Sequence, residues 1–509
     1  MIIKYKTPKL KGFRNIVQIF ILTILIIGFS LIFLAINFNY LPQEVGLFFN
    51  KPWGENQLGE PKSLFILPII SSLFLISNFI CSIHFLKVNK PKRAVTQMFF
   101  GLIASIVLSL ALVSTIYKAS TKIFYLNFEA LRLIFPWGVS FFLSYFFAPY
   151  VIKFAKLANI MDDPKTHKHP AMLLTKPIPR AGSLAFILSF LITSLFFLPL
   201  KKTLLGIYLG SATLVIIGAI DDKKKYISPK IRLFIQLAAA IFVVAAGVGI
   251  TYITYPFANI IRLDSVVIPV NILGTHSIVL FADILAIFWI IFLSNAVSWS
   301  NGVDGQFSGF IGITALIICL VALKTGISDN DPTQLTVAGL AVITSGAALG
   351  LTPYTWHPQK VLWGFGATSA GLIIGALSIL SLSKIYIVSM VLLFPVFDSI
   401  FTGFRRIFSK HSPLAGDRGH LHHRLLDLGW SKPKVASFYW IVTAIFGVLT
   451  VFSNENDIDL NVVRFGILAV GAILTINVLA EKRIPRKLLP GLKFPKAKEL
   501  ESDKTSENR

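Results

Sequence analysis

The chain has 509 residues, of which 55% are hydrophobic and only 14% charged, a balance that excludes both a soluble globular domain and a disordered one. Lys and Arg outnumber Asp and Glu by 48 to 24, giving a formal net charge of +24, yet these basic residues lie between apolar runs, so they read as topology signals and anionic-lipid contacts rather than a nucleic-acid surface. The two cysteines, Cys81 and Cys319, sit inside apolar runs and indicate neither a disulfide framework nor a thiolate metal site.

Apolar runs of about 20 residues recur along the chain, each long enough to cross a hydrocarbon core as a helix, so the expected fold is an all-α polytopic membrane protein. A basic segment, Lys4 to Arg14, precedes the first run, 16–38. That run is too long for a secretory h-region and reads as a retained anchor with a cytoplasmic start. A polar loop leads to the run 64–86, the cations Lys87, Lys90, Lys92 and Arg93 mark a return to the cytoplasm, and a third run covers 98–117. These three runs carry almost no ionisable residues. They read as an accessory module, residues 1–127.

From residue 128 the loops on one side carry polar clusters. Eleven further runs are predicted, at 130–154, 182–199, 203–220, 232–250, 280–297, 306–324, 334–351, 361–380, 385–402, 434–452 and 462–480, for about fourteen spans in all. Counted alternately, they put 162–180, 221–232, 295–306, 352–360, 405–434 and the tail on the cytoplasmic side, with both termini. Asp329, Asp331, Glu455, Asp457 and Asp459 fall opposite. Charge bias and helix parity agree, and the polar clusters converge on one membrane face. The core is set at 128–487, and residues 488–509 form a basic and polar tail expected to be disordered.

Four clusters carry chemistry. The run ending IGAIDDKKKYISPKIRLFIQ places Asp221 and Asp222 side by side. Adjacent ionised carboxylates repel unless a cation holds them, and a hard divalent metal or the lysines that follow would serve. MDDPKTHKHPAMLLTKPIPR, 161–180, mixes acids, histidines, prolines and Arg180 in a connecting loop. NAVSWSNGVDGQ, 295–306, ends a helix in amides and a reaching carboxylate, Asp304, which suits either helix packing or a ligand loop. In DSIFTGFRRIFSKHSPLAGDRGHLHHRLLDLG, the residues Asp417, Arg418, His420, His422, His423 and Arg424 form a dense polar knot. Its spacing does not put three histidines on one helical face, so it reads as a diphosphate-binding element rather than a zinc site.

Together these stretches resemble the polyprenyl-phosphate N-acetylhexosamine-1-phosphate transferase family, glycosyltransferase family 4, sister of the peptidoglycan lipid I synthase. The family's DxP…K…PxPRxGG loop looks like Asp163, Pro164, Lys168, Pro179, Arg180, Ala181 and Gly182, and the Asp-Arg-Gly-His-Leu-His-His form is similar to the N-acetylhexosamine branch. The resemblance implies transfer of a sugar 1-phosphate from a UDP-sugar to polyprenyl phosphate at the cytoplasmic face of the cell membrane, releasing UMP in cell-envelope glycan assembly. It also implies Mg²⁺, with Mn²⁺ as a substitute, held by Asp221, Asp222 and Asp304, which form the catalytic set. Lys168, Arg180, Lys230, Asn295, Asn301, Arg405, Arg406, Asp417, Arg418, His420, His422 and His423 would hold the substrates. The partners are the bilayer, the lipid phosphate and the UDP-sugar, with no nucleic acid and with a homodimer allowed.

Three positions, in two motifs, depart from the family pattern. Ser298 and Asn301 stand where the family has Asn and Asp, and Phe365 stands where a Gly-Asp-x-Gly-Ser motif supplies a metal-binding Asp. The site thus loses about two formal negative charges, which weakens hard-cation binding. The alternative is a catalytically impaired relative that binds polyprenyl phosphate or nucleotide-sugar as a regulator or scaffold. A secondary transporter would place ionisable residues near mid-membrane, and here they gather at helix mouths.

Overall fold

The structure, a computed structural model, describes residues 8–38, 41–46, 57–119, 133–165, 173–224, 227–254, 260–271, 275–381, 384–409, 418–452 and 455–483. The chain separates into two compact units, one of Met1–Arg132 with Leu195–Phe197 and the other of Leu133–Ser194 with Leu198–Arg509. Nine helices among the described residues are long and apolar enough to cross a membrane, and shorter apolar helices accompany them. The chain is an all-α, multi-span membrane protein.

The first unit holds α1 (Pro8–Asn37), α2 (Ile66–Lys87) and α3 (Pro91–Ala119), with a small hairpin, β1 (Val45–Gly46) and β2 (Leu58–Gly59), between the first two. Its helices present apolar side chains outward, among them Ile69, Leu73 and Ile80, and turn their polar groups inward. Gln97 Nε2 donates to Asn78 Oδ1 at 2.9 Å and Ser82 Oγ to the Ala94 carbonyl at 2.9 Å. This inversion is what a lipid solvent requires, because polar groups find no water at that depth.

The second unit begins with α4 (Ile134–Leu157). A short hairpin, β3 (Met161–Asp162) with β4 (Ile178–Pro179), precedes α5 (Gly182–Phe197) and α6 (Lys202–Lys224). Next comes α7 (Pro229–Ala245), started by Ser228, whose Oγ accepts from the Ile231 N–H, and by Pro229 at the first helical position. Two antiparallel hairpins follow, β5 (Tyr252–Thr254) with β6 (Ile260–Arg262) and β7 (Val267–Asn271) with β8 (Thr275–Val279). Sequence reading gave no strands here. The remaining helices are α8 (Leu280–Trp299), α9 (Gln306–Ser328), α10 (Pro332–Thr355), α11 (Ala367–Leu380), α12 (Lys384–Val391), α13 (Leu393–Phe408), α14 (Leu421–Asp427), α15 (Lys432–Phe452) and α16 (Glu455–Arg483).

The core sits around α9, α10 and α11. Gly346 and Gly350 of α10 lie so close to the backbone of Trp137 and Phe141 that a Cβ would clash, the usual means by which membrane helices approach. Three boundaries differ from the predicted runs. The run 361–380 becomes helix only from Ala367, because 361–366 forms a loop whose Leu362 bridges Arg180. The run 385–402 is broken at Leu392 into α12 and α13. Finally, α6 continues through the paired acids to Lys224, so Asp221 and Asp222 lie on its last turn rather than beyond it.

Candidate active site

The acid pair is buried, with Asp221 2% and Asp222 6% exposed. Two ionised carboxylates at such depth are tolerable only when opposite charge and donors surround them. Asp221 receives Arg232, whose Nη2 lies 2.9 Å from Oδ2, and the Ile227 N–H, 3.1 Å from Oδ1. Asp222 receives Arg180, whose Nε lies 2.9 Å from Oδ1, and the Phe365 N–H, 2.9 Å from Oδ2. Arg180 also donates through Nη1 to Asp162 Oδ2 at 3.0 Å. Burial works against the charge on Arg180, but Asp222 and Asp162 outweigh it and hold the guanidinium above its ordinary range.

Local sequence explains these meetings. Arg180 is fixed by backbone: its N–H donates to Ile160, it forms a bridge with Leu362, and the Leu362 N–H donates to Pro179. Gly364, at φ +74°, lets the chain turn directly over Asp222, where a Cβ would strike Oδ2. The Arg232 guanidinium lies over the Phe365 ring at 5.0 Å, a cation–π contact.

Asp304, 4% exposed, sits in the loop between α8 and α9. Lys432 Nζ lies 3.1 Å from its Oδ1, and His357 Nδ1 lies 2.7 Å from its Oδ2, with the Gln359 N–H at 3.5 Å. One segment therefore touches both acid sites: His357 and Gln359 hold Asp304, and Phe365 holds Asp222. The stretch from Gln359 to Phe365 spans at most about 20 Å when fully extended.

The histidine element begins where α14 begins. His420 is the residue before its first turn, buried, with Nδ1 2.8 Å from Asp398 Oδ2 and Nε2 3.4 Å from Arg406 Nη2. Asp398 Oδ1 also accepts the Leu421 N–H at 2.9 Å, so this carboxylate both caps the helix and orients the ring. Arg406 stacks on Trp299 at 5.6 Å. Spacing alone predicts no common face for the histidines, yet His420 and His422 stack with ring centroids 5.8 Å apart and His422 and His423 stand 4.2 Å apart, because His420 lies before the helix and the others in its first turn. His422 presses on Gly302, two residues from Asp304, where a Cβ would overlap its ring. Burial, and then the neighbouring His423 and His420, push the His422 imidazole well below its ordinary range, and neither ring nitrogen has a hydrogen-bond partner among the described residues. Ser399 and Thr402, on α13 beside Asp398, also carry buried hydroxyls without a partner there.

Other predicted site residues fall elsewhere. Asn295 is spent on Gln236, in a reciprocal amide pair at 3.2 and 2.8 Å that ties α8 to α7. Lys230 is exposed on the first turn of α7. Asn301 is half-buried in the loop before Asp304. The Arg405 guanidinium packs on Gly419, donating to its carbonyl at 3.4 Å, and Arg418 pairs with Asp427 at 2.8 Å. Lys168 and Asp417 lie outside the described residues. Sequence reading gives Asp162, His357 and Lys432 no role at the site, and reads Arg232 only as a phosphate-seeking cation after the acid pair and Asp398 only as a carboxylate that could move in at a metal site. Asp398 and Arg232 stand inside the quoted stretches, but nothing in their spacing to His420 or Asp221 marks the pairing.

Asp221, Asp222 and Asp304 do not fit a resident divalent cation as they stand. Both oxygens of each face cationic or backbone donors of this chain, and among the described residues no three His, Cys, Asp or Glu side chains gather as metal ligands.

Comparison with known proteins bears on this constellation. Residues 204–382 match the model of glycosyl transferase family 4. A Bacillus subtilis (strain 168) protein named "Probable undecaprenyl-phosphate N-acetylglucosaminyl 1-phosphate transferase" is 26% identical over 73% of this chain and 98% of its own length. A decaprenyl-phosphate N-acetylglucosaminephosphotransferase of Mycobacterium leprae (strain TN) is 26% identical over 60% of this chain and 81% of its own. A phospho-N-acetylmuramoyl-pentapeptide-transferase of Orientia tsutsugamushi (strain Ikeda) is 26% identical over 61% and 90%. The match over residues 204–382 and these relatives, each aligned over 81–98% of its own length, make the chain similar to glycosyl transferase family 4.

Proposed function

We propose that this protein transfers a sugar 1-phosphate, an N-acetylhexosamine 1-phosphate, from a UDP-sugar to polyprenyl phosphate at the cytoplasmic face of the cell membrane. An oxygen of the lipid phosphate attacks the β-phosphorus of the UDP-sugar. A new P–O bond forms to the lipid, the P–O bond to the α-phosphate breaks, and UMP leaves with the electron pair. The nucleophile is already an ionised phosphate, so positioning and charge neutralisation supply the rate.

The observation that carries this reading is the physical linkage of three sequence clusters. The 356–366 segment holds both Asp304 and Asp222, and Gly302, beside Asp304, is in contact with His422. In this reading Arg180 and Arg232, held by the acid pair, face the lipid phosphate with Lys230 nearby, and the nucleotide-sugar takes the histidine end. Asp398 holds His420 there, Arg406 and Arg405 offer fixed cations, and the open polar atoms of His422, Ser399 and Thr402 supply hydrogen-bonding capacity for a diphosphate or sugar. Asp221 and Asp222 fix the arginines, and Asp304 fixes Lys432 and His357.

The test is to incubate purified protein with undecaprenyl phosphate and UDP-N-acetylglucosamine, with and without Mg²⁺, and to measure UMP release and glycolipid formation. Turnover that disappears in an Asp221→Asn, Asp222→Asn variant is the expected result. Absence of turnover across several UDP-sugars, with lipid phosphate still bound, would overturn it in favour of a binding protein.

A further inference from the structure

Carboxylates gathered at an anion-handling site ordinarily invite a divalent metal, and its charge neutralises phosphate. Here the same carboxylates are already occupied. Asp221 Oδ1 accepts from Ile227 and Arg232 and its Oδ2 faces Arg232; Asp222 Oδ1 faces Arg180 and its Oδ2 accepts from Phe365. Asp304 is closed in the same way by Lys432 and His357. To enter, a metal would have to displace arginines from acids that are almost wholly buried, leaving guanidinium charge uncompensated.

The position opposite the pair decides the matter. A third carboxylate at residue 365 would add negative charge and open a ligand set. Phe365 instead gives an aromatic face to the Arg232 guanidinium at 5.0 Å and gives its backbone N–H to Asp222. A phenyl ring cannot ligate a hard cation, but it does hold an arginine. Residue 365 thus favours an arginine where a metal would otherwise sit.

We infer that the acid sites of this chain hold no resident divalent cation, and that Arg180 and Arg232, positioned by Asp221, Asp222 and Phe365, take over its electrostatic role. The assignment of the metal's role to the arginines rests on the proposed phosphate-transfer reading; the absence of a metal site does not.

The probe is Mn²⁺ alone, titrated into the full-length protein in nanodiscs and followed by electron paramagnetic resonance. The wild-type chain is expected to show no saturable site below about 1 mM. A single tight wild-type site abolished by Asp221→Asn or Asp222→Asn would overturn the inference. A gain-of-site variant sharpens the test. Because Arg232 would pair with any new carboxylate beside it, the substitution is Phe365→Asp combined with Arg232→Gln. This double variant is expected to bind Mn²⁺ roughly tenfold more tightly than wild type or better, since affinity follows ligand charge. If it folds and stays metal-free, the role assigned to Phe365 and Arg232 is overturned; if it does not fold, the wild-type titration decides alone. UMP release in excess chelator separates the two proposals. Turnover that persists supports the arginine assignment, and turnover that stops with chelator and returns with Mg²⁺ overturns it. A protein that binds no Mn²⁺ and turns over no UDP-sugar supports the metal-free inference and sinks only the transfer reading.

Discussion

The acid end and the histidine end of this site solve opposite problems. At the acid end every carboxylate oxygen of Asp221, Asp222 and Asp304 faces a cation or a donor of the chain, so the carboxylates are electrostatically closed, and only the Nε atoms of Arg180 and Arg232 lack a hydrogen-bond partner among the described residues. At the histidine end His422, Ser399 and Thr402 keep buried polar atoms without hydrogen-bond partners among the described residues. Unmet buried polar groups cost free energy, and a fold that retains several beside fixed cations gains by admitting a polar ligand there. The difference teaches where to look for specificity. In the proposed reading the closed end supplies rigid charge and the open end reads the substrate.

The comparison breaks most severely at Arg180. Arg180→Ala would leave Asp162 and Asp222 without their shared partner, and Asp222 is almost wholly buried. Breaking such a pair costs about 3 kcal/mol. The expected outcome is a marked fall in the thermal unfolding midpoint in detergent, partly recovered when Asp222→Asn is added. No recovery would mean that Arg180 acts through its backbone bridge rather than its charge.

A smaller effect is expected at the open end. Asp398→Asn keeps the shape but weakens the hold on His420, whose Nδ1 it meets at 2.8 Å. Losing a hydrogen bond to a charged acceptor costs about 2 kcal/mol, which is roughly a thirtyfold loss in kcat/KM if His420 contacts the donor. Steady-state kinetics with the nucleotide-sugar varied should show this loss, with lipid-phosphate KM unchanged. A loss confined to the lipid substrate would exchange the two ends.

Much of this arrangement was readable in the residues. The apolar runs predicted α4 to α10, α15 and α16 to within a few residues at most ends because a membrane span needs about 20 apolar residues, whereas α11 starts late, one run divides into α12 and α13, and the short α14 had no run. Asp221 with Asp222, Asp304 and the histidine run stood out because paired acids and clustered histidines are unusual at helix mouths. Their partners did not stand out. The donor that holds Asp222 is the backbone N–H of Phe365, and a backbone donor leaves no mark in residue identity. Asp163 fitted the sequence motif, yet Asp162 is the residue that pairs with Arg180, because the β3–β4 register turns it inward. The hairpins between Tyr252 and Val279 went unseen because strands of three to five residues give too short an alternation to register.

A third prediction uses pH. His422 is held neutral in the fold because burial, and then His423 and His420, depress its pKa, whereas in the unfolded chain it titrates near about 6.5. A depressed folded pKa means that the unfolded state binds the proton first. The stability tied to a neutral His422 is therefore complete above about pH 6.5 and declines as pH falls below it toward the folded pKa. Thermal unfolding compared between about pH 7.5 and pH 5.5 should show a lower midpoint at acid pH, with the decline reduced in His422→Phe. An unchanged pH dependence in that variant would remove His422 from the account.

The smallest effect is expected at Arg418, which lies half in solvent and pairs with Asp427 at 2.8 Å. The pair joins a half-exposed guanidinium to a carboxylate only 5% exposed, and solvent reaching the arginine limits its contribution to about 1 kcal/mol. Arg418→Ala should therefore lower the unfolding midpoint only slightly, much less than Arg180→Ala. Its value is as a discriminator, since Arg418 precedes the buried His420 by only two residues and its guanidinium is half-exposed. If the open end binds the nucleotide-sugar, KM for that substrate should rise severalfold in Arg418→Ala while stability holds. Unchanged KM together with unchanged stability would confine the reading of the substrate to the buried groups around His420 and Arg406.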